Sequence, residues 1–134
     1  MNRGGMKQHI LPMLGIATAC VSSPVFAQPS VGIMQIWQNF LASRVAANEC
    51  HALDAATDDH FLSNMMDVTI RAAQSLKESN PNVAEDVLAD RMERDTDEIG
   101  TKVKADVATN GCSSERIQQL LKLYQMHSTM KLGA

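Results

Sequence analysis

Apolar residues recur at helical spacing in four stretches of this chain, and turn signals separate each stretch from the next. The first stretch runs from about Ser30 to Cys50. Met34, Trp37, Leu41 and Val45 form its stripe, widened by Ile33 and Phe40, and Ser30 is the expected N-cap. A link from Ala52 to Thr57 leads to the second, capped by Thr57 or Asp58. Its stripe is Phe61, Met65, Val68, Ala72 and Leu76, flanked by Leu62, Met66 and Ala73. Ser79-Asn80-Pro81-Asn82 ends it. Asn82 and Glu85 have capping-box spacing and open the third stretch, whose stripe is Val83, Val87, Met92, Ile99, Val103 and Val107. Gly100 marks either a kink or a close helix approach. Asn110-Gly111 closes the third stretch, and Ser113 or Ser114 caps the fourth, with Ile117, Leu120, Leu121 and Tyr124 on its apolar face. The last residues, Leu132 to Ala134, are expected to fray.

Aromatic residues make up only 4% of the chain, so the core must be built mainly from Leu, Val, Ile, Met and Ala. That composition suits helix packing better than a β-sandwich. The predicted fold is therefore all-α: a small four-helix up-down bundle, with short links between antiparallel neighbours.

The cysteines agree with that topology. Cys50 ends the first helix and Cys112 begins the fourth, so an up-down bundle brings the two to the same end. A Cys50–Cys112 disulfide is expected, closing a loop of about 60 residues and stabilising by roughly 3–4 kcal/mol.

The N-terminal region reads as a secretory leader. Arg3 and Lys7 precede an apolar run from Ile10 to Ala19, and Val25-Phe26-Ala27 forms an A-x-A-like cleavage site before Gln28. The run is too short, and too broken by Pro12 and Gly15, to span a membrane. Residues 1–27 are thus expected to be a signal peptide and 28–134 a single helical domain, periplasmic or secreted. An oxidising compartment is also where a disulfide persists. Ala17-Thr18-Ala19-Cys20 loosely resembles a lipobox, but its first position lacks the usual large aliphatic residue. Cleavage after Ala27 is preferred to a lipid anchor at Cys20.

Charge narrows the partners. The whole chain carries a formal −3, and loss of Arg3 and Lys7 leaves ten basic residues against fifteen acidic. An acidic chain without a basic patch argues against nucleic acid. No second apolar run reaches membrane-spanning length.

No catalytic motif can be read: there is no Gly-x-Ser-x-Gly, no His-Glu-x-x-His and no Cys-x-x-Cys-His. Cys50 beside His51 is no nucleophile–base pair, because adjacent residues point to different helix faces. Asp54, Asp58, Asp59 and His60 are explained by the positive end of a helix dipole, without a metal. Met126, His127 and Met130 share one patch by helical spacing and offer soft ligands for Cu(I) or Ag(I); Met as core filler is the plainer account.

The expectation is a non-enzymatic exported protein that acts by protein–protein binding, in a chaperone-like, inhibitor or immunity role, with no cofactor. Ile33, Ile36, Trp37 and Phe40 make the first helix apolar well over halfway round. Such a helix is either deeply buried or meets a partner. These four residues are the expected interface, to a homodimer mate or to another protein, with Ile70 a further off-stripe apolar residue. Soft-metal binding at the Met/His patch is the alternative.

Overall fold

The computed structural model describes residues 32–132. The leader, its cleavage site at Ala27, Cys20 and Ser30 lie outside the described residues. Among those described there are four helices and no strand: α1 (Ile33–Glu49), α2 (Ala55–Ser79), α3 (Glu85–Asn110) and α4 (Glu115–Thr129). None is long and apolar enough to cross a membrane.

The helix ends follow local chemistry, though not always at the expected residue. α1 stops at a Schellman motif. The N–H of Ala52 bonds to the Ala47 carbonyl at 2.8 Å and that of His51 to Asn48 at 3.2 Å. The residue between helix and loop is His51, held at φ 53°, where glycine is usual. α2 is capped by Asp54 rather than by Thr57 or Asp58. The Asp54 carboxylate accepts from the Thr57 backbone N–H at 3.1 Å and from its hydroxyl at 2.7 Å. These bonds hold the Asp54 carboxyl below the usual carboxylate range. A carboxylate is a stronger acceptor than a hydroxyl, so the helix begins three residues earlier and Asp58 is released for other work.

The Asn82–Glu85 capping box does not form. Ala84 is the N-cap of α3 and offers no side-chain bond. Glu85 instead pairs across the corner with Lys77, which keeps its carboxyl below the usual range. α3 then runs unbroken through Gly100, where an added Cβ would meet nothing within 4 Å. Gly100 therefore marks no close helix approach, and the helix is not interrupted there. Gly111 ends the helix at φ 79°, ψ 168°, a region open essentially to glycine alone. Ser114 takes the N-cap position of α4, but its hydroxyl makes no cap bond and is buried without a partner.

α1 is the centre of the domain. It touches all three other helices, whereas α2 meets α3 sparingly and α3 and α4 scarcely meet. Small residues let the neighbours close in: Ser43, Ala46 and Ala47 are fully buried on α1. One core cluster joins Trp37, Phe40 and Leu41 to Phe61, Val68 and Ala72 of α2 and Tyr124 of α4. A second joins Ala46, Val103 and Ile117 beside the cysteines. There Cys50 and Cys112 lie at disulfide distance, with Cα atoms 5.8 Å apart, inside the range that bond requires.

Candidate functional site

Two features stand out against this frame: a polar knot inside the core, and an open side between α2 and α3.

The knot joins α1, α2 and α4. The His127 ring stacks on Phe40 with centroids 3.9 Å apart and planes 4° from parallel. Ser43 Oγ donates to the Phe40 carbonyl at 3.0 Å, which leaves it to accept from His127 Nδ1–H at 3.3 Å. Burial pushes the His127 pKa below its ordinary value, so the ring is neutral in the fold. Asn64 Nδ2 donates to the carbonyls of His127 and Met130, each at 2.8 Å, closing the last turn of α4. Nearby, Arg44 grips Asp58 with Nε at 3.2 Å and Nη2 at 2.9 Å, and the Tyr124 hydroxyl donates to the same carboxylate at 3.0 Å. Burial and the Asp58 carboxylate push the Tyr124 pKa up to about 12. Every one of these groups is enclosed or engaged by its neighbours. The knot specifies how three helices meet.

Two of the four residues of the expected α1 interface lie in the core. Trp37 is 2% exposed and Phe40 0%. Ile33 and Ile36 are half-buried against the same core cluster. The broad apolar arc of α1 has a simple cause, because three helices of the same chain cover it. Of the expected contact residues, only Ile70 on α2 is well exposed, at 52%.

The soft-metal patch is divided. Met126 and Met130 stand in part in solvent, whereas the His127 ring is turned onto Phe40 and Ser43. Helical phase carried that signal, since His127 lies three residues after Tyr124, on the apolar face. The acidic cluster is divided too. Asp54 caps α2, Asp58 binds Arg44, and no group of three or more His, Cys, Asp or Glu comes together for a metal among the described residues.

The open side is where α2 and α3 separate. α3 has 26 residues, of which only Leu88 and Val103 are buried. An open cavity of about 310 Å³ lies near the 80–84 corner, floored by Leu76, Leu88 and Met92 and bordered by Ala73 and Ala89. A second, of about 350 Å³, follows between the same helices over α1, where Leu41, Val45 and Met65 are joined by Arg44, Asn48, Thr96 and Lys104. On the exposed side of α2 stand Leu62, Met66 and Ile70, four residues apart and 41%, 65% and 52% exposed. This line was legible as i, i+4 spacing beside the main stripe. What the sequence could not say is that α3 leaves it open. No protein-family description, no characterised protein and no solved structure matches this chain.

Proposed function

We propose that this is an exported, non-enzymatic helical protein that works by binding another protein through the open α2–α3 side. The single observation that carries this reading is the poverty of the α3 core. A helix of 26 residues that buries only two of them is held through α1 along a narrow stripe, and among the described residues nothing covers the apolar line on α2. Export rests on the leader, with cleavage after Ala27 expected, and agrees with the cysteine pair at bonding distance. An up-down helix order is supported by paired positions. Ser43 meets His127 while Cys50 meets Cys112, and Phe40 meets Phe61 while Arg44 meets Asp58. A chaperone-like, inhibitor or immunity role would each use such a face.

A photo-crosslinking residue placed at Met66, in the cells that make the protein, tests this. A discrete cross-linked protein is expected from Met66 and not from Glu115 on α4, and Ile70→Lys in the same chain should abolish it. No cross-linked species from Met66, Ile70 or Ala89 would overturn the binding reading. Mass spectrometry of the recovered protein should also give a chain beginning at Gln28.

A further inference from the structure

We infer that the groove between α2 and α3 binds a single-chain fatty acid, its carboxylate held by Arg44 and Lys104 and its chain laid along the apolar floor toward Leu88. The inference goes beyond the protein-binding reading and does not depend on it. It starts from what lines the two cavities. The first, of about 310 Å³, is apolar, with Ala73 and Leu76 of α2 beside Leu88, Ala89 and Met92 of α3. The charged groups that border it, Lys77 and Glu85, neutralise each other. The second, of about 350 Å³, keeps an apolar floor in Leu41, Val45 and Met65 but adds two cations, Arg44 and Lys104, and no carboxylate. Both volumes are those of small-molecule sites. Met92 borders the first cavity and Thr96 the second, one turn apart on α3, so the two adjoin. Glu85 to Thr96 is about 16 Å of helix. An extended chain advances about 1.2 Å per bond and covers that distance in about 13 bonds.

Charge selects the head group and its direction. Arg44 gives Nε and Nη2 to Asp58 at 3.2 and 2.9 Å, and Nη1 has no partner among the described residues. Lys104 forms no ion pair among the described residues. Two cations set against the one carboxylate of Asp58 leave a single positive charge at this end of the groove. A fatty-acid carboxylate brings the single negative charge that matches it, whereas a doubly charged phosphate monoester would leave an excess beside apolar side chains. The free guanidinium N–H groups and the Lys104 ammonium are donors for both carboxylate oxygens, and the Asn48 amide stands beside them. The acids in the middle of α3, Glu93 and Asp97, line neither cavity. At the far end the Lys77–Glu85 pair leaves no net charge to attract a head group, and the apolar cavity there suits the tail.

The probe is tetradecanoate at neutral pH, kept below its micelle range, with binding to the mature protein read by calorimetry. It should bind, and more weakly as salt rises, whereas tetradecyltrimethylammonium should not bind. Affinity should rise about twofold or more with each CH₂ from decanoate to tetradecanoate. Lys104→Gln should weaken tetradecanoate about tenfold, and Lys104→Arg should keep it. Lys102→Gln, on the same helix but outside both cavities, should leave it unchanged. Ala89→Glu sets a charge in the first cavity and should abolish the gain with chain length. Ala89, Lys102 and Lys104 are all exposed, so the fold should persist. Tetradecanoate that does not bind, tetradecyltrimethylammonium that binds as well, or affinity unmoved by Lys104→Gln and Ala89→Glu would each overturn the inference. So would sedimentation with phosphatidylglycerol vesicles that excess tetradecanoate does not reduce, which would assign the face to a membrane surface. Cross-linking from Met66, which lines neither cavity, reads the protein-binding proposal separately, so either can fail alone.

Discussion

The His127 ring lies flat on Phe40 at 3.9 Å, with Ser43 as its hydrogen-bond partner. A histidine in that place is neutral in the fold, since burial lowers its pKa, and free to take a proton once unfolded. Below about pH 6.5 the unfolded chain therefore binds one proton more at this position than the folded one. Stability contributed here is present above that pH and is lost as pH falls from the unfolded value toward the lowered folded value. Urea melts of the mature protein and of His127→Gln, taken at steps between pH 7 and 5, should show the difference. The wild-type midpoint should fall with acid more steeply than the variant's. Parallel slopes would count against a buried neutral ring.

Tyr124 gives the opposite sign at the alkaline end. Its hydroxyl is held protonated by burial and by Asp58, with a pKa near 12 against an ordinary value of about 10. Between those values the unfolded state has lost a proton that the folded state keeps, so stability falls as pH rises through this window. The chain has one tyrosine, so ultraviolet absorbance reports its ionisation cleanly. Tyr124→Phe should remove the alkaline loss. It should also cost about 1–2 kcal/mol at neutral pH, because Asp58 keeps Arg44 but loses a donor.

How much of this was legible follows from what periodicity can and cannot encode. The four helices were readable because Asn-Pro and Asn-Gly interrupt stripes of Leu, Val, Ile and Met, and the cysteine pairing because Cys50 and Cys112 fall at helix ends. Cap identity was less readable. Asp54, Thr57 and Asp58 are all competent within five residues, and only the bonds made distinguish them. The polar knot was missed because Ser43, Asn64 and His127 are far apart in sequence, and each alone looks like an ordinary helix residue. The place of α1 was ambiguous for a deeper reason. A wide apolar arc reports how much of a helix is dry, not whose atoms keep it so.

Two substitutions at helix backbones should stabilise the fold. Gly100 sits inside α3 with room for a methyl group and no need of its flexibility, so Gly100→Ala should gain about 0.5–1 kcal/mol. His51 occupies a left-handed position that glycine adopts without strain, so His51→Gly should gain a similar ~0.5–1 kcal/mol. Gly111→Ala should do the reverse, since φ 79° with ψ 168° excludes a Cβ. Thermal melts of the three single variants check the signs.

Reduction of Cys50 and Cys112 should loosen one end of the domain. On the chain-entropy account, opening a loop with a sequence separation of 62 loses about 4 kcal/mol of stability. Ala46, Val103 and Ile117 remain packed around the open pair. The reduced protein should therefore melt lower while keeping its helical circular dichroism at ambient temperature. Complete loss of helicity on reduction would mean that this second cluster cannot hold α3 and α4 unaided.

The most direct check on which helix faces outward compares one isoleucine on α1 with one on α2. Ile36 is half-buried against the Trp37–Phe40 cluster, so Ile36→Lys drives a charge toward apolar side chains and should cost about 1–3 kcal/mol. Ile70 is 52% exposed, and Ile70→Lys should change stability by no more than about 0.5 kcal/mol. If the open α2–α3 side is the binding face, Ile70→Lys should abolish cross-linking from Met66 in a fully folded protein. Ile36→Lys should lower it only as far as it lowers the folded fraction. Denaturant melts and cross-linking yields measured on the same two variants separate the cases. A charge at Ile36 that spares stability and abolishes cross-linking would return the interface to α1.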